Sequence, residues 1–218
     1  MTDKPKIIPD TPTAMEYNQG AEKELSWTQA KDPISLFEEW LAKAGETEIN
    51  DPNAMSLSTV DGDGLPDVRI VLLKGFDARG FVFYTNGQSA KGQQLQNGKA
   101  ALCFHWKTQK RQVRVRGHVL PVSAQQSDAY FAERARGSRI GAWASEQSRP
   151  VKDRQTMVER VKEMEARFPE AVPRPSHWHG WRVSPDYIEF WQDGAFRLHD
   201  RIVFTPNNDE WSIERLYP

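Results

Sequence analysis

The sequence of 218 residues predicts a mainly β protein with additional α-helices, built as an antiparallel, barrel-like sheet with flanking helices. From Ala54 onward, short segments alternate between apolar and polar residues, which is typical of half-buried strands. The run 61–64, Asp-Gly-Asp-Gly, follows the first of these segments and favours a hairpin turn, which joins antiparallel strands. Apolar residues at helical spacing occur in separate stretches, so helices are expected beside the sheet.

The first 31 residues are polar, contain three prolines and show no sustained hydrophobic period, so residues 1–31 are expected to form a mobile arm. Residues 32–218 are expected to form one domain, since no linker-like segment follows. Asp32 with Pro33, Ser89, and Ser123 with Gln126 are suited to begin helices. The predicted helices are 32–44, 89–96, a helix from Ser123 that includes Arg134, and 151–168.

The remaining segments with strand character complete the sheet. The predicted strands are 54–60, 68–74, 80–85, 100–106, 111–122, 178–183, 187–192, 198–204 and 211–215.

Composition excludes several classes of protein. The net charge of −1 gives no bulk attraction to nucleic acid, and no apolar run is long enough to span a membrane. The N-terminus lacks the apolar core of a secretory signal, so a cytoplasmic protein is expected. Cys103 is the only cysteine and lies in an apolar segment, which indicates a buried residue rather than a nucleophile.

The run 197–201, Arg-Leu-His-Asp-Arg, concentrates groups suited to chemistry on a planar anion. If it is a strand, Arg197, His199 and Arg201 share one face at intervals of roughly 6.5 Å. Guanidinium groups bind planar and anionic ligands, and imidazole exchanges protons near neutral pH. The alternative interpretation is a charged edge strand that resists aggregation.

Two further groups are suited to anions. Arg69 and Lys74 bracket an apolar strand, although strict alternation places them on opposite faces. A second set combines hydroxyls, a cation and a helix start, and consists of Tyr84, Thr85, Ser89 and Lys91. Charged strand ends and a structural Ser cap explain the same residues without a ligand.

A helix places Tyr130 and Arg134 on one face, with Ser138 following, and these three groups are suited to clamp a phosphate. A surface Tyr–Arg stack is the alternative. Gln112 lies within a basic strand, where it is expected to approach a ligand. His177 and His179 have no third metal ligand at suitable spacing, so no metal is expected.

Six sequence motifs in order resemble the pyridoxine/pyridoxamine 5′-phosphate oxidase family: RIVLLK at 69–74, FVFYTN at 81–86, RQVRVRG at 111–117, GSRIGAWASEQS at 137–148, EFWQ at 189–192 and RLHDR at 197–201. The resemblance extends from about residue 32 to the C-terminus. It implies an FMN-binding split β-barrel and a homodimer with FMN at the subunit interface.

The resemblance also implies a role for each matching residue. The implied FMN contacts are Arg69, Ile70, Val71, Leu72, Leu73, Lys74, Tyr84, Thr85, Lys91, Gln112, Gln147, Ser148, Trp191 and Arg201, with Ser89 as an addition. The implied substrate contacts are Lys74, Tyr130, Arg134, Ser138, Arg197, Leu198, His199 and Tyr17. Within that set, Arg197 and His199 lie against the reacting carbon as the catalytic pair.

The implied reaction is oxidation of pyridoxamine 5′-phosphate and pyridoxine 5′-phosphate to pyridoxal 5′-phosphate by dioxygen, with release of hydrogen peroxide. Two positions depart from the family pattern. Ala90 stands where a basic residue is usual, and Ala14 replaces the arginine of an Arg-x-x-Tyr motif that ends here in Tyr17. A same-fold flavin oxidase of the phenazine type and a non-catalytic carrier of FMN or pyridoxal phosphate remain as alternatives.

Overall fold

The computed structural model describes residues 12–18, 25–208 and 210–218. Its helices are α1 (Ala14–Asn18), α2 (Pro33–Thr47), α3 (Ala90–Leu95), α4 (Ala124–Glu133), α5 (Arg136–Ala144) and α6 (Arg154–Arg167). Short 3₁₀ turns cover Ser26–Gln29 and Ala195–Arg197. No helix in these ranges is long and apolar enough to cross a membrane.

Within the described residues, nine strands form one antiparallel sheet. They are β1 (Ala54–Val60), β2 (Pro66–Leu72), β3 (Gly75–Asp77), β4 (Gly80–Asn86), β5 (Lys99–Trp106), β6 (Arg111–Pro121), β7 (Trp178–Gln192), β8 (Asp200–Asn207) and β9 (Glu210–Arg215). The strand order is β2-β1-β5-β6-β7-β4-β3, and β8 and β9 extend the sheet from the far half of β7. The predicted antiparallel, split-barrel class with flanking helices is confirmed, although the path does not close.

The core lies between α2 and one face of the sheet. Phe37 of α2 is fully buried, and its ring lies 4.9–5.0 Å from the rings of Phe76, Phe81 and Phe104. Edge-on contacts of this kind are the preferred geometry for aromatic pairs. One helix thereby joins β3 and β4, at one end of the sheet path, to β5 in its other half.

The 3₁₀ turn within the predicted arm contributes to this core. Trp27 is buried and packs edge-on against Trp40 of α2, with their ring centroids 5.1 Å apart. Residues 25–31 therefore pack on the domain, whereas 1–11 and 19–24 lie outside the described residues. The predicted domain boundary at residue 32 therefore leaves Trp27 outside the domain, although Trp27 belongs to the core.

Several predicted elements need correction. The segments 178–183 and 187–192 are one continuous strand, in which Asp186 forms a bulge because Arg116 pairs with Tyr187 while Gly117 pairs with Pro185. A bulge lets the strand bend without interrupting its ladder. The last helix begins at Arg154 rather than at residue 151, since the Asp153 side chain accepts the N–H of Thr156.

The helix from Ser123 also ends earlier than predicted. Arg134 has extended backbone angles and closes α4, and α5 begins two residues later at Arg136. Ser138 therefore belongs to a separate helix that the sequence did not predict. The short strand β3 was also missed, because three residues carry too little alternation to be recognised.

Because Phe37 contacts rings from three strands, Phe37→Ala is expected to destabilise the domain by about 3–5 kcal/mol, through lost burial and a residual cavity. Chemical denaturation of the two proteins measures this difference. Glu38→Ala removes an exposed side chain from the same helix and is expected to change stability by less than about 0.5 kcal/mol. A loss for Phe37→Ala no larger than that for Glu38→Ala would contradict this account of the core.

Candidate functional site

A cavity of about 240 Å³ lies among β2, β4, α3 and α4. Its wall combines apolar side chains of β2 with cations, hydroxyls and aromatic rings. The lining residues are Ile70, Val71, Leu72, Lys74, Tyr84, Thr85, Lys91, Tyr130, Arg134, Gln147 and Trp178. All of these except Trp178 were predicted from the sequence as cofactor or substrate contacts.

Three flat rings form one side of the cavity. Tyr84 stacks on Tyr130 with centroids 4.1 Å apart, and Trp178 lies parallel to Tyr84 at 5.3 Å. The stack joins β4, α4 and the start of β7. Because stacked aromatic pairs have a defined orientation, the phenol of Tyr130 is fixed relative to the sheet.

Arg134 enters the cavity as a half-buried cation. Its Nη1 atom is buried without a hydrogen-bond partner, and burial lowers the pKa of its guanidinium. Among the described residues, no carboxylate forms an ion pair with it. A buried charge is stable only when it is paired, so this arrangement fits an anionic ligand.

A second cation approaches from α3. Burial, and then the positive charge of Arg69, lower the pKa of the Lys91 ammonium group. Arg69 donates to the hydroxyl of Thr59, to Oε1 of Gln94 at 3.0 Å and to the carboxylate of Asp67. Arg69 thus braces β2 against β1 and α3, and it adds positive potential beside the lysine.

Seven predicted FMN contacts do not line this cavity: Arg69, described above, Leu73, Ser89 and Ser148, and also Gln112, Trp191 and Arg201, which lie in a second cluster. Ser89 is fully buried, and its hydroxyl donates to the carbonyl of Asn86 while accepting the N–H of Gly92, so it is used as the cap of α3. Leu73 points into the hydrophobic core. Ser148 is exposed beyond α5, with a left-handed backbone at φ 72°.

Two predicted substrate contacts, Ser138 and Tyr17, are also absent from the lining of the cavity. Ser138 is exposed in the first turns of α5. Tyr17 lies in α1, which approaches the 3₁₀ turn at Ala195–Arg197, but the Tyr17 side chain is outside the described part of the chain.

A second group of predicted residues gathers at the other end of β7. Trp191 pairs with Gln112 on one side and with Arg201 on the other. The ring of His199 tilts against that of Trp191, with centroids 4.6 Å apart. The sequence therefore identified a real cluster, formed by β6, β7 and the segment before β8.

The strand predicted over 198–204 is present as β8, but it starts two residues late, so the conditional interpretation of 197–201 as one strand is wrong. Residues 195–197 form a 3₁₀ turn, β8 begins only at Asp200, and both Phe196 and Arg197 have left-handed backbones with φ of 54° and 63°. A Cβ atom on Gly194 would come within 1.7 Å of the Leu198 carbonyl oxygen, so only glycine permits this tight loop. Arg197 and His199 consequently do not form a row along one face of a strand.

His199 is oriented by its own loop. The backbone N–H of Gly194 donates to Nδ1 at 3.0 Å, and a carboxylate oxygen of Asp193 lies 3.3 Å from the same nitrogen. A backbone N–H can only donate, so Nδ1 accepts and the neutral ring carries its proton on Nε2. Arg197 and Leu198 beside it are exposed.

Glu189, the buried centre of a charge network, was not predicted from the sequence. Its carboxylate is 1% exposed and accepts from Arg114 at 3.1 Å, from Nε of Arg201 at 3.0 Å and from the hydroxyl of Tyr187 at 2.5 Å. Burial and this hydrogen bond raise the pKa of Tyr187 to about 12. An acid between Ile188 and Phe190 was the signal, since a carboxylate in an apolar strand requires partners.

The two groups are far apart within one chain. Trp178 in the cavity and Trp191 in the second cluster lie near opposite ends of β7, about 40 Å apart along the strand. No residue of the second cluster lines the cavity. One chain therefore presents two separate halves of the predicted site.

Two family models match the chain. Residues 41–168 match the model described as pyridoxamine 5′-phosphate oxidase. Residues 178–218 match that of the pyridoxine 5′-phosphate oxidase C-terminal dimerisation region. The cavity lies mainly in the first region and the second cluster mainly in the other.

Among solved structures, PhzG from Burkholderia lata in complex with tetrahydrophenazine-1-carboxylic acid is 28% identical, with a TM-score of 0.84 over 90% of this chain and 98% of that one. A pyridoxamine 5′-phosphate oxidase-related, FMN-binding protein from Nostoc punctiforme shares the fold, at 19% identity and a TM-score of 0.70 over 87% of this chain and 100% of that one.

Curated relatives named pyridoxine/pyridoxamine 5′-phosphate oxidase match over nearly their whole length. The protein of Caulobacter vibrioides is 54% identical, with 100% of both chains covered. That of Hyphomonas neptunium is 55% identical over 97% of this chain and 98% of its own. With two matching family models and these identities, the chain belongs to the pyridoxine/pyridoxamine 5′-phosphate oxidase family of enzymes.

Proposed function

We propose that this protein oxidises pyridoxine 5′-phosphate and pyridoxamine 5′-phosphate to pyridoxal 5′-phosphate with FMN as its cofactor. The observation that carries the substrate assignment is the buried, unpartnered Nη1 of Arg134 in a cavity shared with Lys74 and Tyr130. Two cations and a phenol are suited to the dianionic phosphate of such a substrate. The relatives' names support the same reaction.

The donor set also fits FMN. Lys91 and Arg69 would hold the cofactor phosphate, β2 would lie along the ring system, and Gln147 would meet its polar edge. When bound, FMN would supply the hydride acceptor for the 4′ carbon of the substrate, with dioxygen as the final oxidant and hydrogen peroxide as its product. The alcohol gives the aldehyde directly, whereas the amine takes up water and releases ammonia.

The protein's own contribution is binding and orientation. Lys74, Tyr130 and Arg134 anchor the phosphate, which fixes the distance of the 4′ carbon from that anchor. Arg197 positions the pyridine ring from the opposite side. The Nε2–H of His199 supports the 4′ substituent as a proton donor, because Gly194 keeps Nδ1 as an acceptor.

This role requires a second copy of the chain. The cavity and the Trp191 cluster are too far apart along β7 to meet on one ligand. The outer face of the sheet exposes Val68 and Ile70, each more than 60% accessible, on the edge strand β2. A homodimer that covers this face would bring the cavity of one copy to the second cluster of the other, with FMN at the interface. The match to a dimerisation region supports this arrangement.

The visible spectrum of the FMN-reconstituted protein tests the proposed activity. Anaerobic pyridoxine 5′-phosphate is expected to bleach the oxidised flavin band, and air is expected to restore it with release of hydrogen peroxide. A flavin that stays oxidised with this substrate would contradict the proposal. Bleaching by a dihydrophenazine compound instead would favour the phenazine-type oxidase, and no bleaching by either would favour a carrier.

Arg197→Ala is expected to slow reduction of bound flavin by pyridoxine 5′-phosphate about 100-fold, since a misplaced ring leaves the reactive geometry. The FMN dissociation constant is expected to change far less, because Arg197 is assigned to the substrate. Stopped-flow reduction and fluorescence titration with FMN measure the two quantities. Arg79→Ala, which removes an exposed guanidinium elsewhere, is the control. Loss of FMN with unchanged reduction of the remaining holoenzyme would refute the assignment.

Val68→Glu places a carboxylate on the face assigned to the partner. Burying an unpaired charge there costs several kcal/mol, so the dimer dissociation constant is expected to rise about 100-fold or more. Sedimentation velocity over a range of concentrations measures it. Ile49→Glu, at a position that is 98% exposed, is expected to leave the dimer intact. A Val68→Glu protein as dimeric as wild type would place the interface elsewhere.

A further inference from the structure

The guanidinium of Arg134 is held without an acidic partner. It is half-buried at the end of α4, and among the described residues no carboxylate pairs with it. A long side chain with several rotatable bonds does not keep one position in a cavity unless something restrains it. The restraint must therefore come from an uncharged neighbour.

That neighbour is Trp178. The central carbon of the Arg134 guanidinium lies 4.7 Å from the Trp178 ring centroid, closer than the 5.7 Å to Phe131. Tryptophan offers the strongest ring face for a cation, and the attraction increases when the pair is shielded from water. Trp178 is 6% exposed, so this contact is shielded.

Trp178 is itself fixed from three sides. It stacks on Tyr84 and meets Phe131 edge-on, with centroids 5.3 and 5.0 Å away. Its carbonyl accepts a hydrogen bond from Nη1 of Arg174 at 2.8 Å, and Nε of Arg174 pairs with Asp128 of α4 at 2.6 Å. The ring therefore has one orientation relative to α4, which carries Arg134 at its end.

We propose that Trp178 is a positioning residue, which holds Arg134 in place for the substrate phosphate through its ring face. The inference rests on the proposed function, since it assigns the phosphate to Arg134. A carboxylate in this place would occupy the N–H groups of the guanidinium and neutralise its charge. A ring face attracts the cation while using none of its N–H donors, so these remain available to a ligand.

A double-mutant cycle on the FMN-reconstituted full chain tests the role. Arg134→Ala is expected to raise KM for pyridoxine 5′-phosphate with little change in kcat, because binding common to ground and transition states is lost. Trp178→Leu is expected to raise KM roughly tenfold with kcat retained. In the Arg134→Ala background, the same Trp178→Leu change is expected to have almost no further effect on KM.

Rescue and control variants separate positioning from packing. Trp178→Phe keeps a ring face and is expected to have a KM between those of wild type and Trp178→Leu. Trp143→Leu removes a comparable ring from Arg167, 5.4 Å from its centroid and outside the cavity, and is expected to leave KM unchanged. An equal effect of Trp178→Leu in both backgrounds, or a fall in kcat rather than a rise in KM, would overturn the proposal.

Two further measurements test the proposal if Trp178→Leu does not fold or if the wild-type protein is inactive. If Trp178→Leu does not fold, the cycle with Trp178→Phe carries the test, and a KM increase that persists without Arg134 overturns the role. If wild type does not oxidise pyridoxine 5′-phosphate, the proposed function fails by itself. Calorimetric titration of the same variants with inorganic phosphate then tests the coupling between Trp178 and Arg134. Trp178→Leu is expected to weaken phosphate binding only where Arg134 is present.

Discussion

The continuous strand β7 is the constraint on which the rest of the structure depends. It pairs with β6 along most of its length, with β4 near Trp178 and with β8 near Trp191, so it joins the barrel to the C-terminal strands. The bulge at Asp186 bends it while preserving the ladder. The same strand carries residues of both predicted half-sites and keeps them apart, and this separation is the physical basis of the proposed shared site.

Charge is distributed unequally between the two ends of β7. At one end, Glu189 is buried with Arg114, Arg201 and Tyr187, so its carboxylate is fully paired and the network is rigid. At the other end, the half-buried Arg134 packs against an aromatic ring, and no carboxylate of the described residues pairs with it. The paired network around Glu189 stabilises the fold, whereas the Arg134 cation is available to bind an anionic ligand. The two ends thus differ in charge balance, although both contain partly buried arginine.

The sequence predicted the sheet and most of the cavity because alternation, caps and motif order are local signals. The Ser89 and Ser123 caps and the hairpin turn are confirmed for that reason. The sequence did not predict the turn at 195–199, because the close approach of Gly194 to Leu198 leaves no signal in the alternation of apolar and polar residues. It also missed the pairing of Trp178 with Arg134, since contacts across elements depend on where α4 ends. The separation of the half-sites follows only from the continuity of β7.

The adjacent left-handed residues Phe196 and Arg197 limit how substitutions can alter the stability and the turnover of the enzyme. Such a backbone costs about 1–3 kcal/mol at each non-glycine residue, and the surrounding loop must offset it. A glycine in place of Phe196 would relieve part of that strain but would also free the chain that orients Arg197. This loop is therefore a site where greater thermal robustness and faster turnover oppose each other, and improving one is expected to erode the other.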